Sequence, residues 1–126
     1  MTAPVWINAI VGDFGHAAGL SDFALNDRGS AALDFETGRS LRLEYTGTEL
    51  VIAMTLAMHS PSDLARLLSL PNPHAKYGFK IRTGLLAKSG RLVMAIRIAE
   101  RDTTLANLSG AFQTLWHLAN EIGGAA

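Results

Sequence analysis

The sequence predicts a single α+β domain over residues 1–126, in the order helix, three strands, helix, two strands, helix. Three observations lead to this prediction: apolar residues recur every three or four positions near both ends, they alternate with polar residues in between, and short glycine-containing turns separate the segments. A chain of 126 residues is about one domain long, and no long linker interrupts it. We therefore expect a twisted antiparallel sheet packed by helices.

The first helix is predicted to run from Pro4 to a stop signal at Gly19. Its apolar positions share one face and comprise Trp6, Ile7, Ile10, Phe14 and Ala17. Because an apolar helix face has to be buried, this helix is expected to lie against another element.

Three strands follow, in the segments AALDF, LRLEY and ELVIAMTLAM. The tetrapeptide ETGR and the tripeptide TGT separate them, and both contain a turn glycine. In the middle strand, Leu41, Leu43 and Tyr45 alternate with Arg42 and Glu44, a pattern typical of a strand with one face in a core and one in water. The three segments predict an antiparallel meander.

The second helix has a clear start in the stretch HSPSDLARLLSLPNP. Ser60 is expected to cap this helix, Pro61 suits its first position, and Asp63 stands where a capping box places an acid. The helix is short and ends before Pro71. Three leucines share one side of this helix, namely Leu64, Leu67 and Leu68.

Two further strands, YGFKIRTGLLA and RLVMAIRIA, are predicted to pair through a turn at KSG. The last helix is expected to begin near Asp102 and to end at Gly123. Its apolar stripe steps by three and four residues and comprises Leu105, Leu108, Phe112, Leu115, Ala119 and Ile122, broadened by Trp116 and Leu118.

Two strands carry more apolar residues than one buried face requires. The runs LVIAMTLAM and RLVMAIRIA are apolar at nearly every position, so both faces of these strands favour burial. A partner chain, a second copy or a ligand could cover the extra surface, since large apolar patches are uncommon on solitary monomers. The chain's own helices could equally cover it, because periodicity does not reveal on which side a helix packs.

Sequence motifs give no support for catalysis. The chain has no cysteine and lacks the dinucleotide, P-loop, hydrolase-elbow and zincin motifs. The acid-rich stretch NDRGSAALDFETGR does not supply calcium ligands in the register of an EF-hand, and we interpret it as a turn, a strand and a second turn. His59, Ser60 and Asp63 are neighbours, but a helix cap accounts for Ser60 and Asp63. We predict no catalytic, cofactor-binding or metal-binding residue, and no enzyme activity.

The charges cancel overall but are unevenly distributed. Residues 1–36 carry five acids against Arg28, whereas residues 76–101 carry seven bases against Glu100. The bases lie along predicted strands with few aromatic residues beside them, which favours a solvated sheet face over a nucleic-acid site. No apolar run reaches the roughly 18 residues of a membrane span, and the absence of cysteine fits a reducing compartment. We expect a cytoplasmic protein without membrane insertion.

The chain resembles the class I type III secretion chaperones, the Tir-chaperone family, over about residues 4–122. The resemblance rests on the run FALNDRGSAALDFETGRSLRLEYTGTELVIAMTL, then SPSDLARLL, GRLVMAIRI and a long closing helix. The neutral net charge is a departure, because these chaperones are typically acidic.

This resemblance implies a cytoplasmic homodimer that binds the N-terminal segment of a secreted effector and keeps it soluble and export-competent. The dimer would form through the short helix and the following strand, at Leu64, Leu67, Leu68, Phe79 and Ile81. The effector would bind through apolar grooves and strand addition at a sheet edge, with Trp6, Ile10, Leu33, Phe35 and Leu43 as candidate contacts. The secretion machinery would drive release, so its ATPase is a further expected partner.

Two other functions use the same elements. A small-molecule-binding α+β domain could line a cavity with the apolar strands. A regulatory protein-interaction domain of the same fold could act on the secretion apparatus or on transcription. Genomic adjacency to an effector gene would favour the chaperone.

Overall fold

The computed structural model describes residues 2–20, 22–58, 61–69, 79–86 and 88–123. Its helices are α1 (Val5–Ala17), α2 (Pro61–Ser69) and α3 (Leu105–Gly123). Its strands are β1 (Ser30–Asp34), β2 (Ser40–Tyr45), β3 (Glu49–Leu56), β4 (Ile81–Leu86) and β5 (Arg91–Ala99), and a 3-10 turn covers Glu100–Asp102. The predicted α+β class and the predicted order of helices and strands are confirmed.

The strands form one antiparallel sheet in the order β1-β2-β3-β5-β4. The first three strands are neighbours in sequence order, as a meander requires. β5 then lies between β3 and β4, and its Ala95 pairs with Ala53 of β3. The chain therefore passes from β3 through α2 to the far edge of the sheet before it returns to the centre in β5. β1 and β4 are the two edge strands.

One face of the sheet is buried beneath the two long helices. Alternate residues of the central strands β3 and β5 are fully enclosed, including Leu50, Ile52, Met54, Leu92 and Met94. α3 lies across both strands and α1 packs beside α3. The core thus forms from one side of the sheet and the apolar stripes of these helices.

The second face of β3 and β5 is only half-buried. Its residues Val51, Ala53, Val93 and Ala95 alternate with the core residues and point away from α3. Both long helices cover the first face, and no helix or strand of the described ranges lies over this second one. We call this second side the open face.

The acid-rich stretch that follows α1 is architectural. Oδ1 of Asn26 accepts hydrogen bonds from the backbone N–H of Arg28 (2.9 Å) and of Ser30 (3.1 Å). Gly29 adopts a φ of 74° and Gly38 a φ of 87°, a left-handed conformation that favours glycine. The predicted turn, strand and second turn are confirmed.

The last helix begins about one turn later than predicted. The chain after β5 first forms the 3-10 turn, and α3 starts at Leu105. Thr104 caps α3, since its hydroxyl oxygen accepts a hydrogen bond from the N–H of Asn107 at 3.0 Å. The predicted start near Asp102 is wrong because several polar residues in this segment can cap a helix, and the sequence does not rank them.

Tyr45 holds the end of β2 against this 3-10 turn. Its hydroxyl donates a hydrogen bond to a carboxylate oxygen of Glu100, which lies 55 residues later in the chain. The hydrogen bond to Glu100 raises the pKa of Tyr45 above its ordinary value, since the neighbouring carboxylate disfavours the phenolate. The contact fixes the path of the chain into α3.

The start of α2 is described only in part. Pro61 and Asp63 lie in its first turn, as predicted, and Asp63 is nearly buried. Ser60, the predicted cap, lies outside the described residues.

Two glycines of α1 give a matched test of how tightly this helix packs. A Cβ on Gly15 would lie 2.7 Å from the Cβ of Phe23, whereas a Cβ on Gly12 would meet nothing within 4 Å. We expect Gly15→Ala to lower the free energy of unfolding by about 1–3 kcal/mol because of overpacking. Gly12→Ala should raise it by about 0.5–1 kcal/mol, since alanine favours helix. Urea unfolding measures both changes, and a stabilised Gly15→Ala would contradict the packing of α1.

Candidate functional site

A surface hollow of about 260 Å³ lies where the end of β1 meets α3. Its walls are almost entirely apolar, and it is lined by Phe35, Phe112, Gln113, Trp116 and His117. We call it the aromatic hollow. Phe112 and Trp116 stand four residues apart on α3 and therefore share one helix face.

The rings of the hollow are continuous with the core. The Phe35 ring meets Trp116 edge-on with centroids 5.2 Å apart, and Phe112 lies 5.9 Å from Trp116. Phe112 in turn contacts the buried Phe14 of α1 at 5.6 Å. Edge-to-face aromatic pairs of this kind add to the stability that burial alone provides. The walls of the hollow are thus held in place by packed rings.

A buried cation supports the same site. Arg39 is 4% exposed, and its guanidinium carbon lies 4.4 Å from the centroid of the Trp116 ring. The guanidinium also donates a hydrogen bond to Oδ1 of Asn120 at 2.8 Å. Burial lowers the pKa of Arg39, but an arginine remains charged in proteins. The cation–π contact and the hydrogen bond together fix the orientation of Trp116.

The backbone of β1 is open along its outer edge. The N–H of Tyr45 donates to the carbonyl of Gly29 and the N–H of Phe35 donates to that of Arg39, both at 2.8 Å. Residues that bond to the neighbouring strand alternate with residues that do not in an antiparallel pair. The backbone N–H and C=O groups of Ala32 and Asp34 therefore face away from β2. No other strand among the described residues pairs with this side of β1.

The open edge and the aromatic hollow form one surface. Ala31, Leu33 and Phe35 point to the helix side of β1, so a strand added at Ala32 and Asp34 would direct alternate side chains toward the hollow. This arrangement suits an extended polypeptide that carries apolar side chains at every second position.

Within the described ranges, no group of three or more histidines or carboxylates is placed to hold a metal ion. None of the helices in the same ranges is both long and apolar enough to cross a bilayer.

The family model for the type III secretory system chaperone SycN matches residues 6–123. The chain belongs to this family. The resemblance to type III secretion chaperones that the sequence suggested is therefore confirmed. No curated protein matches the chain significantly.

Solved structures share the fold of this SycN-family chain. A chain of the HopA1–SchA chaperone–effector complex is 18% identical with a TM-score of 0.73, covering 93% of this chain and 92% of the other. A chain of the ExsC–ExsE complex is 17% identical with a TM-score of 0.75, covering 96% and 93%. A chain of the Yersinia pestis chaperone SycH, solved with a fragment of YscM2, is 22% identical with a TM-score of 0.67, covering 92% and 98%.

The residues predicted to bind an effector fall in different environments in this SycN-family chain. Leu33 and Phe35 are half-buried beside the aromatic hollow, and Ile10 packs half-buried on α1. Trp6 is 46% exposed. Leu43 is fully enclosed, because it points into the core from β2, and we assign it to the core and not to the groove.

The residues predicted to form a dimer interface are described in part. Phe79 and Ile81 are half-buried against the core, and the Phe79 ring lies over Gly110 of α3. The side chains of Leu64, Leu67 and Leu68 lie outside the described residues, although their backbone is part of α2.

Five residues of the site were not predicted from the sequence. Phe112 and Trp116 were assigned to the stripe of the last helix, and Gln113, His117 and Arg39 were given no role. The width of that apolar stripe indicated that part of it lies at the surface, since a stripe broadened by Trp116 is wider than the sheet can cover.

Arg39 and Arg42 provide a matched pair for testing the site. We expect Arg39→Ala to lower the free energy of unfolding by about 2 kcal/mol, because a desolvated cation–π contact and a charged hydrogen bond are lost. Arg42 is exposed on β2, so Arg42→Ala should change it by less than about 0.5 kcal/mol. Urea unfolding followed by tryptophan fluorescence measures both, and equal effects would contradict the buried role of Arg39.

Proposed function

We propose that this protein is a cytoplasmic chaperone that binds the N-terminal segment of a type III secreted effector and keeps it soluble and export-competent. The open edge of β1 beside the aromatic hollow is the observation that carries the proposal. Membership of the SycN family supports it, as does a fold shared with chains of chaperone–effector complexes.

The client segment would bind as an additional strand. Its backbone would bond to Ala32 and Asp34, and its apolar side chains would lie against Leu33 and Phe35 and enter the aromatic hollow. Ordering a flexible segment costs conformational entropy, so useful affinity needs a long contact with many modest interactions. The rigid walls of the hollow favour binding, since they require little further ordering.

The position of the hollow beside the open edge of β1 favours an apolar side chain of an added strand as its occupant. The proposed role is binding without turnover, so no catalytic residue and no cofactor is required. Release would depend on the secretion machinery, with its ATPase as the proposed partner.

The dimer would form through α2 and β4, at Leu64, Leu67, Leu68, Phe79 and Ile81. β4 is an edge strand that contacts α2, and its Leu85 is 45% exposed. An apolar surface at an edge strand favours pairing with a second copy. In such a dimer the two β1 edges would stay available for the client.

The function is tested by purifying the protein from its native host and identifying what accompanies it. We expect a secreted effector to co-purify, and removal of its N-terminal segment to abolish the complex. A monomeric protein without any polypeptide client would contradict the proposal.

The mode of binding is tested at Ala32. Ala32→Pro removes an N–H that faces away from β2, so the sheet is retained while strand addition is weakened. We expect affinity for the co-purified client's N-terminal peptide to fall about tenfold, since one or two hydrogen bonds are lost. Ala32→Val keeps the N–H and should bind as the unmodified protein does. Calorimetry compares the three proteins, and equal affinity of the proline variant would contradict strand addition.

The dimer is tested at Leu67. Leu67→Asp would place an unpaired charge in the proposed interface, and we expect the mass in solution to fall to that of a monomer. Ala65→Asp is the control, because Ala65 is exposed and lies on nearly the opposite side of α2. Light scattering measures the mass. A dimer that survives Leu67→Asp would place the interface elsewhere.

A further inference from the structure

Small residues line the centre of the open face. Ala53 pairs with Ala95, Thr55 pairs with Val93, and Val93 also pairs with Gly84 of β4. These small side chains are half-buried, so a partner could approach the sheet closely. A trough of about 330 Å³ extends from Val93 toward β1 and β2, where Ala32, Asp34 and Arg42 line it, and Arg91 lies in its wall.

The charges of the open face are divided between its two halves. The β1–β2 half carries Asp34 and Glu44 against Arg42. The other half, formed by β4 and β5, carries the arginines Arg82, Arg91 and Arg97. Its acidic neighbours are Glu49 of the adjoining β3 and Asp102, which lines a hollow with Lys80 and Arg97. The β4–β5 half is therefore basic, and Lys80, exposed just before β4, adds to it.

The three arginines of this half differ in their contacts. Arg97 forms an ion pair with Glu49 at 3.0 Å and its side chain remains half exposed. Arg91 crosses β3 and donates to the carbonyl of Gly38 at 2.6 Å, which closes one end of the trough. Arg82 is exposed on the edge strand, opposite Ala95. A basic rim thus surrounds a floor of small apolar residues.

We propose that the β4–β5 half of the open face docks an acidic, apolar segment of a polypeptide partner. Carboxylates of the segment would meet Arg82, Arg97 and Lys80, and its small apolar side chains would pack on Val93 and Ala95. The planar guanidinium group binds carboxylates in a bidentate manner, which suits this pairing. Because few aromatic residues accompany the bases, the surface favours a polypeptide over a single-stranded nucleic acid.

This surface is distinct from the aromatic hollow. β1 and β4 are opposite edges of the sheet, separated by four strand spacings or about 19 Å, and the hollow opens on the helix side. Where the partner is the effector client, this inference extends the proposed function with a second contact and names its chemistry. An extended chain needs about six residues to cross the open face from β1 to β4.

The probe is a fluorescent peptide of two EALEALA repeats, paired with the same peptide carrying lysine at every glutamate. We expect the acidic peptide to bind at about 50 mM salt and to weaken at about 300 mM, since screening is stronger there. The lysine peptide should not bind. In amide NMR spectra, the acidic peptide should shift the signals of Gly84, Val93 and Ala95.

Matched charge reversals locate the site. We expect Arg82→Glu to weaken binding of the acidic peptide about fivefold, in line with exposed ion pairs. Arg28→Glu, in the exposed turn before β1, should change it less than twofold. The NMR spectrum of each variant shows that the fold is retained.

Four outcomes would overturn the proposal. The first two are equal binding of the two peptides and amide shifts at β1 without shifts at β5. The third is loss of a dimer in Arg82→Glu, which would make a second copy the occupant. Stronger binding of a DNA oligonucleotide than of the acidic peptide would also overturn it. The acidic-peptide assay needs no client, so a negative result there does not affect the Ala32 test of the proposed function. A negative Ala32 test likewise does not affect the acidic-peptide assay.

Discussion

One-sided packing of the sheet is the constraint on which the rest of the molecule depends. α3 lies across the two central strands, and buries Leu108 and Leu115 over the same face that α1 helps to cover. Because both long helices are used on this face, no helix or strand in the described part of the chain covers the other face or the outer edge of β1. The candidate binding surfaces are therefore consequences of how the core is built, and they need no separate element.

The column of aromatic rings connects this core to the surface. Phe14 is enclosed, Phe112 contacts it, and Phe35 and Trp116 complete the column at the rim of the hollow. Arg39 supports the Trp116 ring from within the protein. A surface whose side chains are fixed before binding loses less entropy when a partner arrives. The stability of the core and the readiness of the hollow thus have the same physical origin.

The two proposed contact regions differ in chemistry as well as position. The β1 edge offers backbone groups and aromatic rings, whereas the β4–β5 half of the open face offers arginines around small apolar residues. Backbone pairing accepts many sequences, while the basic rim selects for charge. Two modest contacts on one polypeptide strengthen each other, because the second forms at high effective concentration.

The sequence by itself determined the order of elements and the turns around Gly29 and Gly38, because periodicity and turn chemistry act over a few residues, and its resemblance to type III secretion chaperones indicated the family. It placed the start of α3 about one turn too early, near Asp102, since neighbouring polar residues compete as caps. Only the tertiary structure decided that β5 enters between β3 and β4, that Leu43 is core while Phe35 lies at the surface, and that Arg39 meets Asn120, 81 residues away. An apolar pattern specifies that a side chain favours burial, but what covers it depends on contacts between distant segments.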